Sequence, residues 1–256
     1  MVTALQYEIL RLIRPSGRSH LTGAVYKGKG KLDVLLGDLL NDVHDLTVID
    51  FGCGDGAEAV ELARRGAAHV IGVDINLECL ATARRNAADA GVDRVTFATG
   101  VETPADVVIS LDSFEHFADP AAMLERMYVL LRPGGAVIAS FGPTWYHPYG
   151  GHLFSVFPWA HLLFSERALI RWRSDHRTDG KMSFAEAGLN RMTVGRFLRL
   201  ARASRFEIEH LELAPIRRLK PFHNRLTREF FTAIVRCKLR KPIGGRKVAS
   251  MRRGHL

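Results

Sequence analysis

Residues 48–60 read VIDFGCGDGAEAV, and the fold turns on them. Four residues of strand character, Val48, Ile49, Asp50 and Phe51, run into glycines at 52, 54 and 56, and a helical pattern follows at once. Glycine lets backbone come close to a ligand, and the helix start behind it offers free N–H groups to a negative group. Asp50 stands at the end of the strand, and Asp74 ends the next strand eighteen residues beyond Gly56. A carboxylate at that second place accepts both hydroxyls of a ribose, so the pattern points to a nucleoside lying across the strand ends. The run Gly52-Cys53-Gly54-Asp55-Gly56-Ala57 also satisfies the G-x-G-x-x-A form of the dinucleotide fingerprint. Asp50 argues against that second reading, because its charge suits an ammonium group and repels a pyrophosphate.

Outward from this stretch the pattern stays regular. AHVIGVDI is a second strand, DRVTFATG a third, ADVVISLD a fourth and GAVIASFG a fifth, with amphipathic helices GAEAVELARRG, LECLATARRNAADAG and PAAMLERMYVLL between them. The spacing predicts α/β architecture, a Rossmann-like, mostly parallel sheet with helices on both faces. The alternation breaks at 142–192, a long insertion after strand five in which GPTWYHPYGGHLFSVFPWAH fits neither period. It resumes with helix TVGRFLRLARAS, strand FEIEHLELAPI and a last strand in EFFTAIVRCKL. The expected organisation is one domain over residues 1–237. Residues 1–45 form an N-terminal helical segment, residues 142–192 a lid on the acceptor side, and residues 238–256 a basic, flexible tail.

A chain of 256 residues with 47% hydrophobic content buries a sizeable core. No apolar run reaches the roughly 18 residues needed to cross a bilayer, and Glu8 and Arg11 interrupt the first apolar stretch, against a secretory signal. Cys53, Cys79 and Cys237 have neither disulfide nor metal spacing, so a cytoplasmic location and no metal site are expected. The net charge of +9 is uneven: residues 216–256 hold 13 Lys and Arg against the single acid Glu229, while residues 1–215 hold 23 against 26 acids. Nucleic acid or an anionic surface is a conceivable partner for such a terminus; a solvated tail is the preferred reading.

The segments DFGCGDG, GVDI, DVVISLDSFEHFADP and LLRPGGAVIASF together resemble the motif series of class I S-adenosylmethionine-dependent methyltransferases. The small-molecule branch that includes quinone-biosynthesis methyltransferases is the most similar, over roughly residues 40–142. The resemblance implies a seven-stranded sheet with its last strand antiparallel and S-adenosyl-L-methionine as methyl donor. Position by position, it places Asp50 near the methionine amino group with the backbone of Gly52, Cys53, Gly54 and Gly56 beside it. Asp74 would hold the ribose and Ile75 pack on the adenine, and Ser110, Leu111 and Asp112 would end strand four where the sulfonium faces the acceptor.

Methyl transfer to a hydroxyl needs alignment, exclusion of water and a base, and histidine is the natural base near neutral pH. His116 follows strand four, and His152 and His147 flank a Pro-Tyr-Gly-Gly turn that can bring both imidazoles together. Trp145, Tyr146, Tyr149, Phe154 and Trp159 supply apolar walls for an acceptor. The expected function is O-methylation of a small molecule, a saccharide or a lipid-linked intermediate. The alternatives are a methyltransferase for RNA or another macromolecule docked through the basic terminus, and a non-catalytic nucleoside-binding protein. A nicotinamide-dependent oxidoreductase ranks last.

Overall fold

A computed structural model describes residues 2–13, 30–40, 42–154, 156–176 and 183–244. Seven strands form one sheet in the order β3-β2-β1-β4-β5-β7-β6. They are β1 (Thr47–Phe51), β2 (His69–Val73), β3 (Val95–Ala98), β4 (Ala105–Leu111), β5 (Leu131–Phe141), β6 (Glu207–Pro215) and β7 (Thr232–Arg240). The first five pair in parallel, and β7 runs antiparallel to both β5 and β6, as the resemblance implied. The strand order reverses between β1 and β4, which pair through Val48–Val107 and Asp50–Ile109. That reversal opens a crevice outside the carboxyl ends of the strands, where ligands bind in open α/β sheets.

Three of the helices begin at a side-chain cap. Asn76 Oδ1 accepts from Glu78 N–H and Cys79 N–H at the start of α4 (Leu77–Asp89), and Asp119 Oδ1 accepts from Ala121 and Ala122 N–H ahead of Pro120 in α5 (Pro120–Leu130). Thr193 caps α8 (Val194–Ala203), which buries Val194, Phe197, Leu198 and Ala201. One face of the sheet packs α5 and α8 around Phe114, Phe141 and Phe197. The other packs α2 (Lys31–Leu35), α3 (Ala57–Arg64) and α4 around Leu32, Leu62 and Leu80. No helix among the described residues is long and apolar enough to cross a membrane.

Two boundaries differ from the sequence reading. The strand expected from Gly135 starts at Leu131, because Ala105 pairs with Leu131 and Val107 with Ala136, so residues 132–135 bulge out of register, with Gly134 at φ 80°. β7 continues through Arg240, so Lys238 and Arg240, assigned to a tail beginning at 238, are strand residues paired with Glu209 at 2.9 and 2.6 Å. The two-residue side-chain period outlasts the apolar run, and the polar edge reads as tail in composition alone. The N-terminal segment supplies α1 (Val2–Arg11) and α2, while its expected turn at 15–23 lies outside the described residues.

The insertion has a core of its own. Its helices α6 (Ala160–Leu163) and α7 (Glu166–Ser174) gather Phe154, Leu169, Trp172 and Phe184 with Tyr7 and Leu10 of α1. Gln6 Oε1 accepts from both Ser165 N–H and Ser165 Oγ–H, and Tyr7 donates to Asp175 at 2.7 Å, tying α1 to this unit.

Candidate active site at the strand ends

The loop after β1 is closed by its own backbone. Gly52 and Cys53 N–H both donate to Val73 O, Gly56 N–H donates to Cys53 O, and Gly54 N–H donates to Asp74 Oδ2 at 2.9 Å. Three glycines take positive φ: 86° at Gly52, 53° at Gly54 and 78° at Gly56. A Cβ at Gly52 would stand 2.5 Å from Ser113 Oγ, whereas one at Gly54 would meet nothing within 4 Å. The loop thus packs tightly at both ends and leaves an open face in the middle. The free N–H groups expected of a phosphate cradle are not offered by residues 52, 53, 54 and 56, which removes the main support for a pyrophosphate.

The charges point the same way. Asp50 is 3% exposed, and its Oδ2 is buried with no hydrogen-bond partner. Burial, and then the neighbouring Glu58 carboxylate, push its pKa up to about 7. Asp74, whose Oδ1 accepts from Asn76 N–H, and Asp55 add further negative charge around it. Among the described residues a cation is supplied by Lys31, whose Nζ lies 3.2 Å from Asp112 Oδ2 and 3.8 Å from Glu58 Oε1. Lys31 was not anticipated; a lysine in a Gly-Lys run carries no signal that it will reach across the crevice. Beside Asp74, Ile75 is 91% exposed, an apolar side chain with room for a flat partner. An orphaned carboxylate for an ammonium group, a second carboxylate with lone pairs left over and an exposed aliphatic platform fit an adenosyl amino acid.

Other expected cofactor residues sit differently. Ser110 is fully buried and donates to Phe51 O at 3.1 Å, stitching β4 to β1, so its hydroxyl faces the sheet and not the crevice. Leu111 and Cys53 are buried too, the Cys53 thiol held protonated by burial and by the Asp50 charge. Asp112 takes φ 50° and directs its carboxylate to Lys31.

The insertion folds back onto the end of β4. Trp145 N–H donates to Met192 O, drawing its two ends together. Asn190 donates through Nδ2 to Phe114 O at 2.6 Å and Phe117 O at 2.8 Å, and its N–H to Glu115 O. His116 and His152 meet edge to face, ring centroids 5.4 Å apart. His116 Nδ1 donates to Gly188 O at 3.3 Å and His152 Nε2 to Pro143 O at 3.2 Å, so the His152 ring keeps Nδ1 for a second partner. Burial, and then the His116 charge, hold the His152 pKa down at about 4. His147 does not join this pair as expected; its Nδ1 accepts from Tyr149 N–H across the turn. Burial lowers its pKa to about 4 as well.

Glu115 lies beneath, 3% exposed and with Oε2 buried without a partner. Burial, and then Asp112, raise its pKa to about 8. Glu115, Pro143, Trp145, His152 and Arg191 line a crevice of about 160 Å³. The pair Glu115-His116 reads as a helix start in sequence, so the burial of the acid had no local signal beyond the phenylalanines on either side. A separate cavity lies at the opposite end of the sheet between Leu46, Asp106 and Arg240 and shares no residue with this site.

The expected aromatic wall is largely something else. Phe154 is fully buried against Phe184 at 4.7 Å and belongs to the insertion's core, because its apolar ring satisfies that core before any ligand arrives. Trp159 donates to Tyr146 O and starts α6, and Tyr146 stacks on Phe230 at 5.4 Å. Tyr149 is 38% exposed. Trp145 alone of the five lines the crevice, held by His161, which is 5% exposed and bonded to Trp145 O at 2.6 Å.

Residues 48–135 match the family model described as a methyltransferase domain. Over those residues the chain carries a methyltransferase domain, and it is similar to S-adenosylmethionine-dependent methyltransferases of class I. A ubiquinone biosynthesis O-methyltransferase of Aeromonas salmonicida is 39% identical over 100 residues, covering 36% of this chain and 42% of that protein. One from Neisseria meningitidis serogroup C is 33% identical over 159 residues, covering 59% and 63%. The chain thus spans less than two thirds of the length of these relatives. The crystal structure of an S-adenosylmethionine-dependent methyltransferase from Mesorhizobium loti superposes with a TM-score of 0.55 at 20% identity, over 84% of this chain and 99% of that one, which is a likeness of fold.

Proposed function

We propose that the chain transfers a methyl group from S-adenosylmethionine to a hydroxyl of a small molecule. Its acceptor would resemble those of the quinone-biosynthesis O-methyltransferases it is similar to, or be a saccharide or lipid-linked intermediate. The observation that carries the reading is the buried Asp50 carboxylate with Oδ2 unpartnered, in a crevice where, among the described residues, Asp50, Glu58, Asp74 and Asp112 face Lys31. Such a site favours a donor bearing both an ammonium and a sulfonium charge. When bound, that donor supplies a methyl group on a positive sulfur, which leaves as the new C–O bond forms.

The chain's own residues do the rest. Asp50 pairs the ammonium, Asp74 accepts from the ribose hydroxyls and Ile75 covers one face of the base. Leu111 and Asp112 face the transfer point, and Gly52, Cys53, Gly54 and Gly56 shape the loop. His152, unprotonated at neutral pH, takes the acceptor proton through the nitrogen that Pro143 leaves free, with His116 beside it. His147 supports the turn. Trp145 closes the acceptor side, with Tyr146, Tyr149 and Trp159 at its rim. The crevice lined by Glu115, Trp145 and His152 is too tight to hold an acceptor, so the described part of residues 142–192 acts as a lid that shifts to admit it.

Calorimetric titration with S-adenosylmethionine, S-adenosylhomocysteine and NAD tests the donor. Both adenosyl compounds should bind, and Asp74→Ala should weaken them on the order of 10²-fold, since charge-assisted hydrogen bonds contribute roughly 1.5–3 kcal/mol each. Binding of NAD alone would overturn the proposal. Donor binding without turnover across phenolic, saccharide and lipid-linked acceptors would favour a nucleoside-binding protein.

A further inference from the structure

The basic excess of the C-terminal region divides into two populations. Along β7, Arg236 pairs with Glu212 at 3.1 Å, and Lys238 and Arg240 pair with Glu209. The connection from β6 to β7, IRRLKPFHNRLTREFF at 216–231, is different. It holds Arg217, Arg218, Lys220, Arg225 and Arg228 against the one acid Glu229. Glu229 is turned inward, where its two oxygens accept from Val194 N–H at 3.1 Å and Gly195 N–H at 2.7 Å at the start of α8. None of the five cations has an ion pair among the described residues.

This connection is a built finger. Ile216 N–H donates to Phe231 O at its base. At its tip Asn224 Oδ1 accepts from Leu226 N–H at 2.9 Å and Thr227 N–H at 3.3 Å, while Asn224 N–H donates to Thr227 Oγ1 at 3.0 Å. The bonded tip presents apolar side chains to solvent: Phe222 is 62% exposed and Leu226 90%. Arg217, Arg218, Lys220 and Arg225 are exposed around them. Phe230, at the finger's root, holds Tyr146 of the insertion.

We propose that residues 217–226 dock the protein on an anionic lipid membrane, the cations on headgroup phosphates and Phe222 and Leu226 inserted between the headgroups. Charge complementarity selects the partner. Unpaired cations without an intervening acid suit a polyanionic surface, and protruding apolar tips among them suit one with an apolar layer beneath. A nucleic acid would satisfy the cations but leave Leu226 in water. The inference goes beyond the methyl-transfer reading and does not depend on it.

The test is co-sedimentation of the full chain with phosphatidylcholine vesicles and with vesicles of phosphatidylcholine and phosphatidylglycerol at about 7:3. The anionic vesicles should bind the protein, more weakly as salt rises, and the neutral ones should not. Phe222→Ser/Leu226→Ser leaves every charge in place and both positions are exposed, so its melting temperature should match the parent. Its partitioning should fall at least ~10-fold, since each removes apolar area that insertion buries. Arg217→Gln/Arg218→Gln should cost roughly 10- to 30-fold. Equal binding by the Phe222/Leu226 variant would mean adsorption through other cations and would overturn the proposal. So would absence of binding to anionic vesicles, or binding of a single-stranded RNA that alone depends on Phe222 and Leu226.

Discussion

The loop after β1 and the insertion after β5 meet at one edge of the sheet but are held in different ways. Residues 52–56 are fixed by backbone, with four N–H groups bonded to Val73 O, Cys53 O and Asp74 and three glycines at positive φ. The described part of 142–192 adds to its backbone bonds a large share of side-chain contacts: rings packed edge to face, imidazoles bonded to carbonyl oxygens, and Asn190 pinning the chain to Phe114 and Phe117. A backbone-built loop needs few residue identities and presents one geometry. A unit built from side chains can be repacked by substitution, so the same sheet can present a constant donor site and a changeable acceptor site.

The sharpest way to break this comparison is to damage the insertion's core and ask whether the donor site feels it. Phe154→Ala removes a fully buried ring and should destabilise the insertion by about 3–5 kcal/mol. Thermal unfolding should shift down while S-adenosylmethionine affinity stays within about twofold of the parent. A parallel loss of donor affinity would mean that the two regions form one cooperative unit.

Next in size is the imidazole pair. His152→Ala should lower turnover roughly 10²-fold at unchanged donor affinity, and His116→Ala less, since its ring lies farther from the crevice lining. Because the folded pKa of His152 is depressed to about 4, the ring is already unprotonated at pH 6. Acceptor turnover should therefore fall only as pH drops toward 4–5, and not at the ordinary histidine value of about 6.5. The same depression makes native stability constant above the unfolded pKa and lost progressively between about 6.5 and 4, where the unfolded chain binds the proton that the folded chain refuses. An acid limb near 6.5 that is insensitive to His152→Ala would remove it as the base.

How much was legible follows the same division. Asp50, Asp74 and the glycines could be read because each is required by local geometry: a strand end, a positive φ, a fixed spacing to the next strand. The mostly parallel sheet followed from the alternation, and its seven strands with the last antiparallel from the resemblance. Ser110, Phe154 and His147 were misplaced because a residue type announces capability and not direction, and each finds its partner inside the protein. Lys31, Glu115 and Asn190 were missed because their roles arise from contacts between segments distant in sequence, Asn190 reaching back over seventy residues to Phe114. The boundary at 238 failed because a polar strand edge and a solvated tail have the same composition.

The smallest expected effect bears most directly on the donor side. In the ligand-free protein Asp50 has a pKa near 7, raised by burial and by Glu58, so at pH 7 about half the molecules carry a neutral carboxyl there. An ammonium group placed on the orphaned Oδ2 favours the charged form and lowers that pKa. Donor binding should then release up to about half a proton at pH 7 and more at pH 6, and affinity should rise with pH up to about 7 before levelling. The donor's own amino group, with an ordinary pKa near 7.7–8.0, is mostly protonated up to pH 7, so the release is read at pH 6 to 7, below the range where that group takes up protons on binding. Titrations at one pH in buffers of different ionisation enthalpy measure the released proton directly. Asp50→Asn should abolish the release and weaken binding, while Glu58→Gln, which removes the second cause of the shift, should shrink the release without abolishing it. If proton exchange is zero from pH 6 to 7, or persists in Asp50→Asn, the ammonium group does not sit on Asp50, and the backbone-built site holds its donor in another orientation.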